Sequence, residues 1–285
     1  MRSGETTKAA SVVGTDAVEV PGRTAHITLD RVRVTYTRAN GAKVHALNGV
    51  SLEVPAGEFV CLIGRSGEGK TTLLNVVAGL VQPTAGKVML NGAEVHGPGV
   101  DRGVIFQTDS VFPWMRVEAN VEFGLKVRGV PKTTRQRIVK EHLQLVALDH
   151  VAKSWPREMS GGMRARVAVA SVFANDPDVL LADEPFGSLD YVTRRNLQSV
   201  LLEMWERTQK TIIFVTHDVE EALTLASRTV VVNNGRVVDD QPVGLARPRT
   251  EDVLATPEAL ALKRRLLVHL GLEGKGGLTD QAAER

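Results

Sequence analysis

The eight residues Gly64-Arg65-Ser66-Gly67-Glu68-Gly69-Lys70-Thr71 constrain this chain more than any other feature. They fit the pattern G-x-x-x-x-G-K-[ST], a loop whose glycines let the backbone approach a phosphate closely. The apolar run Phe59 to Ile63 stands directly before the loop, and residues with helical spacing from Thr71 to Gly79 directly follow it. A strand, a glycine loop and a helix N-terminus in that order converge backbone N–H groups and a helix dipole on one anion. Lys70 is then placed to bring its ammonium to the β- and γ-phosphates of a nucleotide. The Thr71 hydroxyl, with Thr72 beside it, is placed to bind Mg²⁺.

The rest of the chain supplies a sheet for that unit. Val104 to Phe106, Val179 to Ala182, Ile212 to Val215 and Val230 to Val232 are short apolar runs of strand length. Runs apolar on both faces suit strands of a parallel sheet covered by helices. Segments with helical spacing alternate with them at Gly162 to Asn175, Arg194 to Thr208 and Val219 to Ser227, so the order reads as an α/β layer sandwich. His26 to Val54 differs, because Ile27, Leu29, Val32, Val34 and Tyr36 mark an alternating pattern that predicts an antiparallel sheet beside the first. Residues 108–165 lose β character and read as an inserted helical lobe, with Thr133 to Val146 as one of its helices. The body is expected to span residues 26–250, followed by a helical extension at 251–270 that includes Pro257 to Leu270. The aperiodic residues 1–25 read as a loose arm and the glycine-rich 271–285 as a flexible tail.

A second chemical feature stands at the end of Val179-Leu180-Leu181-Ala182-Asp183-Glu184. Ligand chemistry in an open α/β sheet sits at the carboxyl ends of its strands, and two carboxylates there call for a cation. Asp183 is expected to hold Mg²⁺, directly or through water, and Glu184 to polarise the water that attacks the γ-phosphate.

Composition excludes several other classes. The chain has 285 residues, about two domain equivalents, and 43% apolar residues, so it supports a sizeable core and is neither wholly disordered nor collagenous. A formal net charge of +2 provides no overall basic field, and no nucleic-acid partner is expected. The single cysteine, Cys61, lies inside a strand pattern and reads as a small core hydrophobe in a reducing compartment. No run approaches the roughly 18 consecutive apolar residues of a membrane span, so a soluble chain is expected.

Further residues turn the nucleotide reading into a family resemblance. Gln107 follows one strand, Ser160-Gly161-Gly162 opens the helix upstream of the acidic strand, Gly187-Ser188-Leu189-Asp190 follows it, and His217 follows the strand Ile212 to Val215. Their order and spacing resemble the nucleotide-binding subunit of ABC transporters over roughly residues 27–249. The resemblance implies a P-loop NTPase (RecA-like) α/β core with an N-terminal antiparallel β subdomain and an inserted α-helical subdomain. It implies two cassettes facing head to tail, with Ser160, Gly161 and Gly162 of one chain closing on the ATP of the other. It further implies that Gln107 senses Mg²⁺ and the attacking water, that His217 meets the γ-phosphate, that Asp190 links the two sites and that Tyr36 stacks on adenine.

The same resemblance implies a place in the cell and a set of partners. Phe112, Pro113, Trp114 and Met115 fall where such subunits receive a coupling helix of a transmembrane permease, itself served by a solute-binding protein. Phe-Pro-Trp, Met163 and the Arg247-Pro248-Arg249 tail are similar to importers of the nitrate, sulfonate and taurine group. The chain is therefore expected as an ATPase on the cytoplasmic face of the inner membrane. Some residues depart from the family pattern. Met159 replaces Leu, Ala165 and Ser171 replace Gln and Arg in the signature helix, and Glu68 puts a negative charge into the phosphate loop. These departures keep open an ATP-binding module with weak turnover, and a soluble ABC ATPase outside transport is the other alternative.

Overall fold

The computed structural model describes residues 25–107 and 110–272. Residues 1–24 of the expected arm, Thr108 and Asp109 of the expected lobe, and residues 273–285 of the expected tail lie outside the described residues.

In chain order, β1 (Ile27–Thr37) and β2 (Lys43–Val54) form a hairpin, and β3 (Phe59–Ile63) leads to α1 (Lys70–Val77). Then come β4 (Ala85–Leu90), β5 (Ala93–Glu94) and β6 (Arg102–Ile105), followed by α2 (Val117–Val127), α3 (Lys132–Leu145) and α4 (Gly161–Ala174). The alternation resumes with β7 (Val179–Asp183), α5 (Tyr191–Thr208), β8 (Thr211–Thr216), α6 (Val219–Leu225), β9 (Arg228–Asn233) and β10 (Arg236–Pro242). Two helices close the described chain, α7 (Glu251–Leu254) and α8 (Pro257–His269).

Two sheets result. The antiparallel one has the order β2-β1-β4-β5 and the larger one β10-β9-β3-β8-β7-β6, in which only the β9 and β10 pair is antiparallel. The alternation along β3 shows why its residues are apolar throughout. Phe59, Cys61 and Ile63 enter a core with α4, α5, α6 and α8, while Val60 and Leu62 enter a second core with α1 and the antiparallel sheet. All five residues are fully buried, as a strand between two apolar layers requires. Burial pushes the Cys61 thiol pKa well up, so it stays a neutral core group.

A third core joins α2, α3 and α4 through Val121, Leu143, Val167 and Ala170, and it runs on to Ala174, past the expected lobe boundary at 165. Ala25, the last residue of the expected arm, packs onto the body. Ala25 is fully buried, and its N–H and C=O both bond Thr211 Oγ1, at 3.3 and 2.7 Å. β6 ends at Ile105, leaving Phe106 outside the strand and 47% exposed. Among the described residues no helix is long and apolar enough to cross a membrane.

Candidate active site

Because β3, β8, β7 and β6 are parallel neighbours, their carboxyl ends share one edge of the sheet. β3 runs into the glycine loop there, β7 into Asp183 and Glu184, β8 toward His217 and β6 toward Gln107. Ser66, Gly67, Gly69, Lys70, Thr71 and Thr72 line a cleft of about 580 Å³ together with Gln107, Glu184 and His217.

The loop is built tightly. Lys70 is only 5% exposed, and its Nζ donates to the carbonyls of Gly64 at 2.8 Å and Arg65 at 3.0 Å. Arg65 itself is exposed and contributes this carbonyl rather than its side chain. Burial lowers the Lys70 pKa, while the carboxylates of Glu184, Asp183 and Glu68 pull it back up. Position 69 needs glycine for two reasons: φ is +103°, and a Cβ would lie 2.4 Å from the carbonyl oxygen of Ala46. Gly64 is held by contact alone, since its Cβ would lie 2.4 Å from the Val232 carbonyl oxygen. No side chain caps the start of α1, so its first-turn N–H groups remain for an anion.

The two acids have separate environments. Asp183 is 8% exposed and accepts from the Thr71 hydroxyl at 3.1 Å. Burial raises its pKa, with Glu184 adding to the effect and the Thr71 hydrogen bond and Lys70 opposing it. A buried carboxyl beside a hydroxyl is a hard-oxygen pair that a divalent cation would hold ionised. Among the described residues no three His, Cys, Asp or Glu side chains form a metal cage. The pair therefore fits a cation that takes its remaining ligands from phosphate and water, as Mg²⁺ does.

Glu184 has a backbone φ of +43°, a left-handed conformation uncommon for a residue with a side chain. Such strain collects where a side chain must be aimed rather than merely packed. Its N–H donates to the Val215 carbonyl at 3.0 Å, pinning the residue to the end of β8. Oε1 then lies 3.9 Å from Lys70 Nζ, and Oε2 lies 2.9 Å from His217 Nδ1. The strand ends thus bring ammonium, carboxylate and imidazole into one row.

Other predicted residues lie elsewhere. Ser160 caps α4 by accepting from the Met163 N–H at 3.2 Å, and with Gly161 and Gly162 it stays outside the 580 Å³ cleft. Gly161 and Ala165 instead share a hollow of about 240 Å³ with Gln107, which faces both spaces. A Cβ at Gly162 would meet Thr193 Cγ2 at 2.3 Å, so α4 and α5 pack closely there. Asp190 caps α5 and accepts from the Thr193 N–H at 3.0 Å, a hydrogen bond that holds its carboxyl below the usual range. Tyr36 is 44% exposed and pairs with Val44 across the hairpin.

Val44, His45 and Ala46 of β2 form a wall of the cleft, and nothing in the sequence marked them. Directly paired residues share a sheet face, so Tyr36 stands on the same face as Val44 at the margin of the cleft. Glu68 is part-buried, and its side chain has a partner in the protein. Its carboxylate accepts from the Asn234 N–H, and its carbonyl accepts from the Gly235 N–H at 3.0 Å. Away from the cleft, Phe112 stacks with Trp114 and Phe123 at centroid distances of 5.5 and 4.9 Å. All three rings are exposed, Trp114 to 68%. Asn120 anchors the segment, accepting from the Phe112 N–H at 2.7 Å and donating to the Phe112 and Met115 carbonyls.

A profile of the ABC transporter family matches residues 47–187, the stretch from just after the cleft wall through both acids. An ABC transporter ATP-binding protein of Methanocaldococcus jannaschii is 46% identical over 230 residues, covering 80% of this chain and 85% of the relative. The chain belongs to the ABC transporter family. It is an ATP-binding subunit and an ATPase of that family, with a P-loop NTPase fold. The taurine import ATP-binding protein of Roseobacter denitrificans is 46% identical over 206 residues, covering 72% of this chain and 77% of the relative. The bicarbonate transport ATP-binding protein of Synechococcus elongatus is 42% identical over 250 residues, and this chain spans 38% of its length. Among solved structures, a dimeric ABC transporter cassette superposes with a TM-score of 0.70 at 31% identity, covering 76% of this chain and 98% of that cassette.

Proposed function

We propose that this chain is the energy-coupling ATPase of an importer for a small anion of the nitrate, sulfonate or taurine type. It works in pairs on the cytoplasmic face of the inner membrane. The observation that carries the reading is Glu184, set between Lys70 at 3.9 Å and His217 at 2.9 Å beside the Thr71 and Asp183 pair. Relatives at 42% and 46% identity that are named for bicarbonate transport and taurine import support the small-anion class.

In this reading Lys70 and the first-turn N–H groups of α1 bind the β- and γ-phosphates, and Tyr36 stacks on the base. Thr71 and Asp183, with Gln107 at the open side, would hold Mg²⁺, which when bound offsets phosphate charge. Glu184 accepts a proton from the attacking water, and His217 holds the γ-phosphate and keeps Glu184 aimed. Ser160, Gly161 and Gly162 present a hydroxyl, N–H groups and the start of α4 to the γ-phosphate of a second copy. Phe112 and Trp114 grip a coupling helix of the permease, which a solute-binding protein loads. Closure of the pair on ATP moves that helix, and hydrolysis releases it.

Glu184→Gln in the full chain is expected to lower phosphate release by about 10²- to 10⁴-fold while ATP-dependent pairing persists. Normal turnover in that variant would remove Glu184 from the chemistry. Isolation of the permease complex from cells, followed by binding assays on its solute-binding protein with nitrate, taurine and bicarbonate, tests the solute class.

A further inference from the structure

The His217 side chain is 62% exposed, and among the described residues its ring has one polar contact, to Glu184. What fixes its position is therefore the backbone on either side of it, and both flanking residues are tied to α5. Asp218 accepts from Arg194 Nη1 at 3.2 Å through Oδ2. Through Oδ1 it also accepts from the Glu220 and Glu221 N–H groups at 2.9 and 3.3 Å, capping α6. On the other side, Thr216 Oγ1 accepts from the Asp218 N–H at 3.0 Å and donates to Glu221 Oε2 at 2.6 Å. Glu221 Oε1 in turn accepts from Gln198 Nε2 at 3.0 Å, one turn further along α5 than Arg194.

The other arm of the Arg194 guanidinium reaches a different loop. Its Nη2 donates to the Leu189 carbonyl at 3.0 Å, the peptide group that joins Leu189 to Asp190. One planar group thus holds both the segment that ends in Asp190 and the segment that carries His217. A guanidinium does this through two donors in a rigid fork, which an ammonium cannot reproduce.

We infer that Arg194 is a positioning residue, which couples the placement of the Asp190 loop to the aim of His217 within one chain. The inference rests on the reading of His217 given above. If a second copy displaces the Asp190 loop, the Leu189 carbonyl moves with it, and Arg194 passes the shift to Asp218. The imidazole then enters or leaves line with Glu184 and the γ-phosphate. A misplacement of about 1 Å in a reacting group costs up to roughly 10²-fold in rate, so a small shift suffices.

The test is steady-state phosphate release by the full chain carrying Arg194→Ala, Arg194→Lys, His217→Ala, and Arg194→Ala combined with His217→Ala. Arg194→Ala is expected to lower kcat about 10-fold with the KM for ATP within about twofold, and Arg194→Lys to recover little of it. In the His217→Ala background, adding Arg194→Ala is expected to lower kcat no further. In nucleotide-free Arg194→Ala, the imidazole NMR signals of His217 are expected to shift while those of His150 stay in place. Full recovery of kcat by Arg194→Lys, a further 10-fold fall in the double variant, or unmoved His217 signals would each overturn the inference. Unchanged turnover in His217→Ala alone would instead overturn the role given to the histidine.

Discussion

The glycine loop and the Ser160 segment both offer N–H groups at the start of a helix, yet they are built in opposite ways. The loop is finished within one chain: Lys70 is buried against two carbonyls, Gly69 is wedged against Ala46, and Asp183 already meets Thr71. The Ser160 segment has a capped helix start, with Arg164 donating to the Met159 carbonyl at 2.6 Å, but it stays outside the cleft and none of its side chains meets Lys70 or Asp183 in the contacts that close the loop. A tight site costs reorganisation only once, during folding, whereas an open one leaves its free energy for the moment of association. In the proposed function, the finished half holds the nucleotide and the open half meets it when a second copy arrives.

Variants on the finished half should show the largest effects. Asp183→Asn removes the carboxylate proposed to hold the cation, and turnover is expected to fall about 10²- to 10³-fold in a phosphate-release assay. Its stability should move the other way. The pKa of Asp183 is raised by burial, so its contribution is most favourable below the unfolded value and is lost as pH rises through the folded one. In nucleotide-free protein at neutral pH, Asp183→Asn is therefore expected to raise Tm by about 1 to 3 °C, with the gain vanishing near pH 3. A lower Tm at neutral pH would break the idea that the acid is held against its own stability.

Gly69→Ala comes next, at about 3 kcal/mol of destabilisation, because strain at positive φ adds to a backbone clash. Urea unfolding measures it, and a cost under about 1 kcal/mol would mean the loop is less rigid than its contacts imply. On the open half, Ser160→Ala should cost about 1 kcal/mol through the lost cap on α4, with ATP-driven pairing weakened more than ATP binding. Equal loss in both would erase the distinction between the halves. Smallest of all, Trp114→Ala should leave the stability of the lone chain within about 0.5 kcal/mol, since the ring is mostly exposed. Pull-down with the permease should nevertheless fail, and an intact complex would remove the aromatic patch from the interface.

What the sequence made legible follows from how local each signal is. β3, β7 and β8 were readable within a residue because burial on both faces demands unbroken apolar runs. β10 was not, because this edge strand alternates exposed residues with part-buried ones and a buried aspartate, Asp239, and ends in Pro242. β4 and α2 were also unread: Gly86 and Lys87 interrupt the first, and valines give the second a strand-like look. At the site, the glycine loop and the two acids were legible because each is a short segment acting with its neighbours. The wall of Val44, His45 and Ala46 was not, since it shapes the cleft by position and backbone rather than by chemistry. The ties of Arg194 to Leu189 and Asp218 likewise depend on which loops the fold brings together.

Glu68 also holds the turn between β9 and β10, receiving the N–H groups of Asn234 and Gly235. That turn in its turn bonds Asn48 of β2: the Asn48 N–H donates to the Gly235 carbonyl at 2.8 Å and its side-chain amide to the Asn234 carbonyl at 2.8 Å. The loop therefore hands any stiffening on to a hairpin tip and from there to the other sheet. Two amide protons at 234 and 235 become natural reporters of occupancy: their exchange with deuterium should slow when nucleotide fills the cleft, although neither proton touches it.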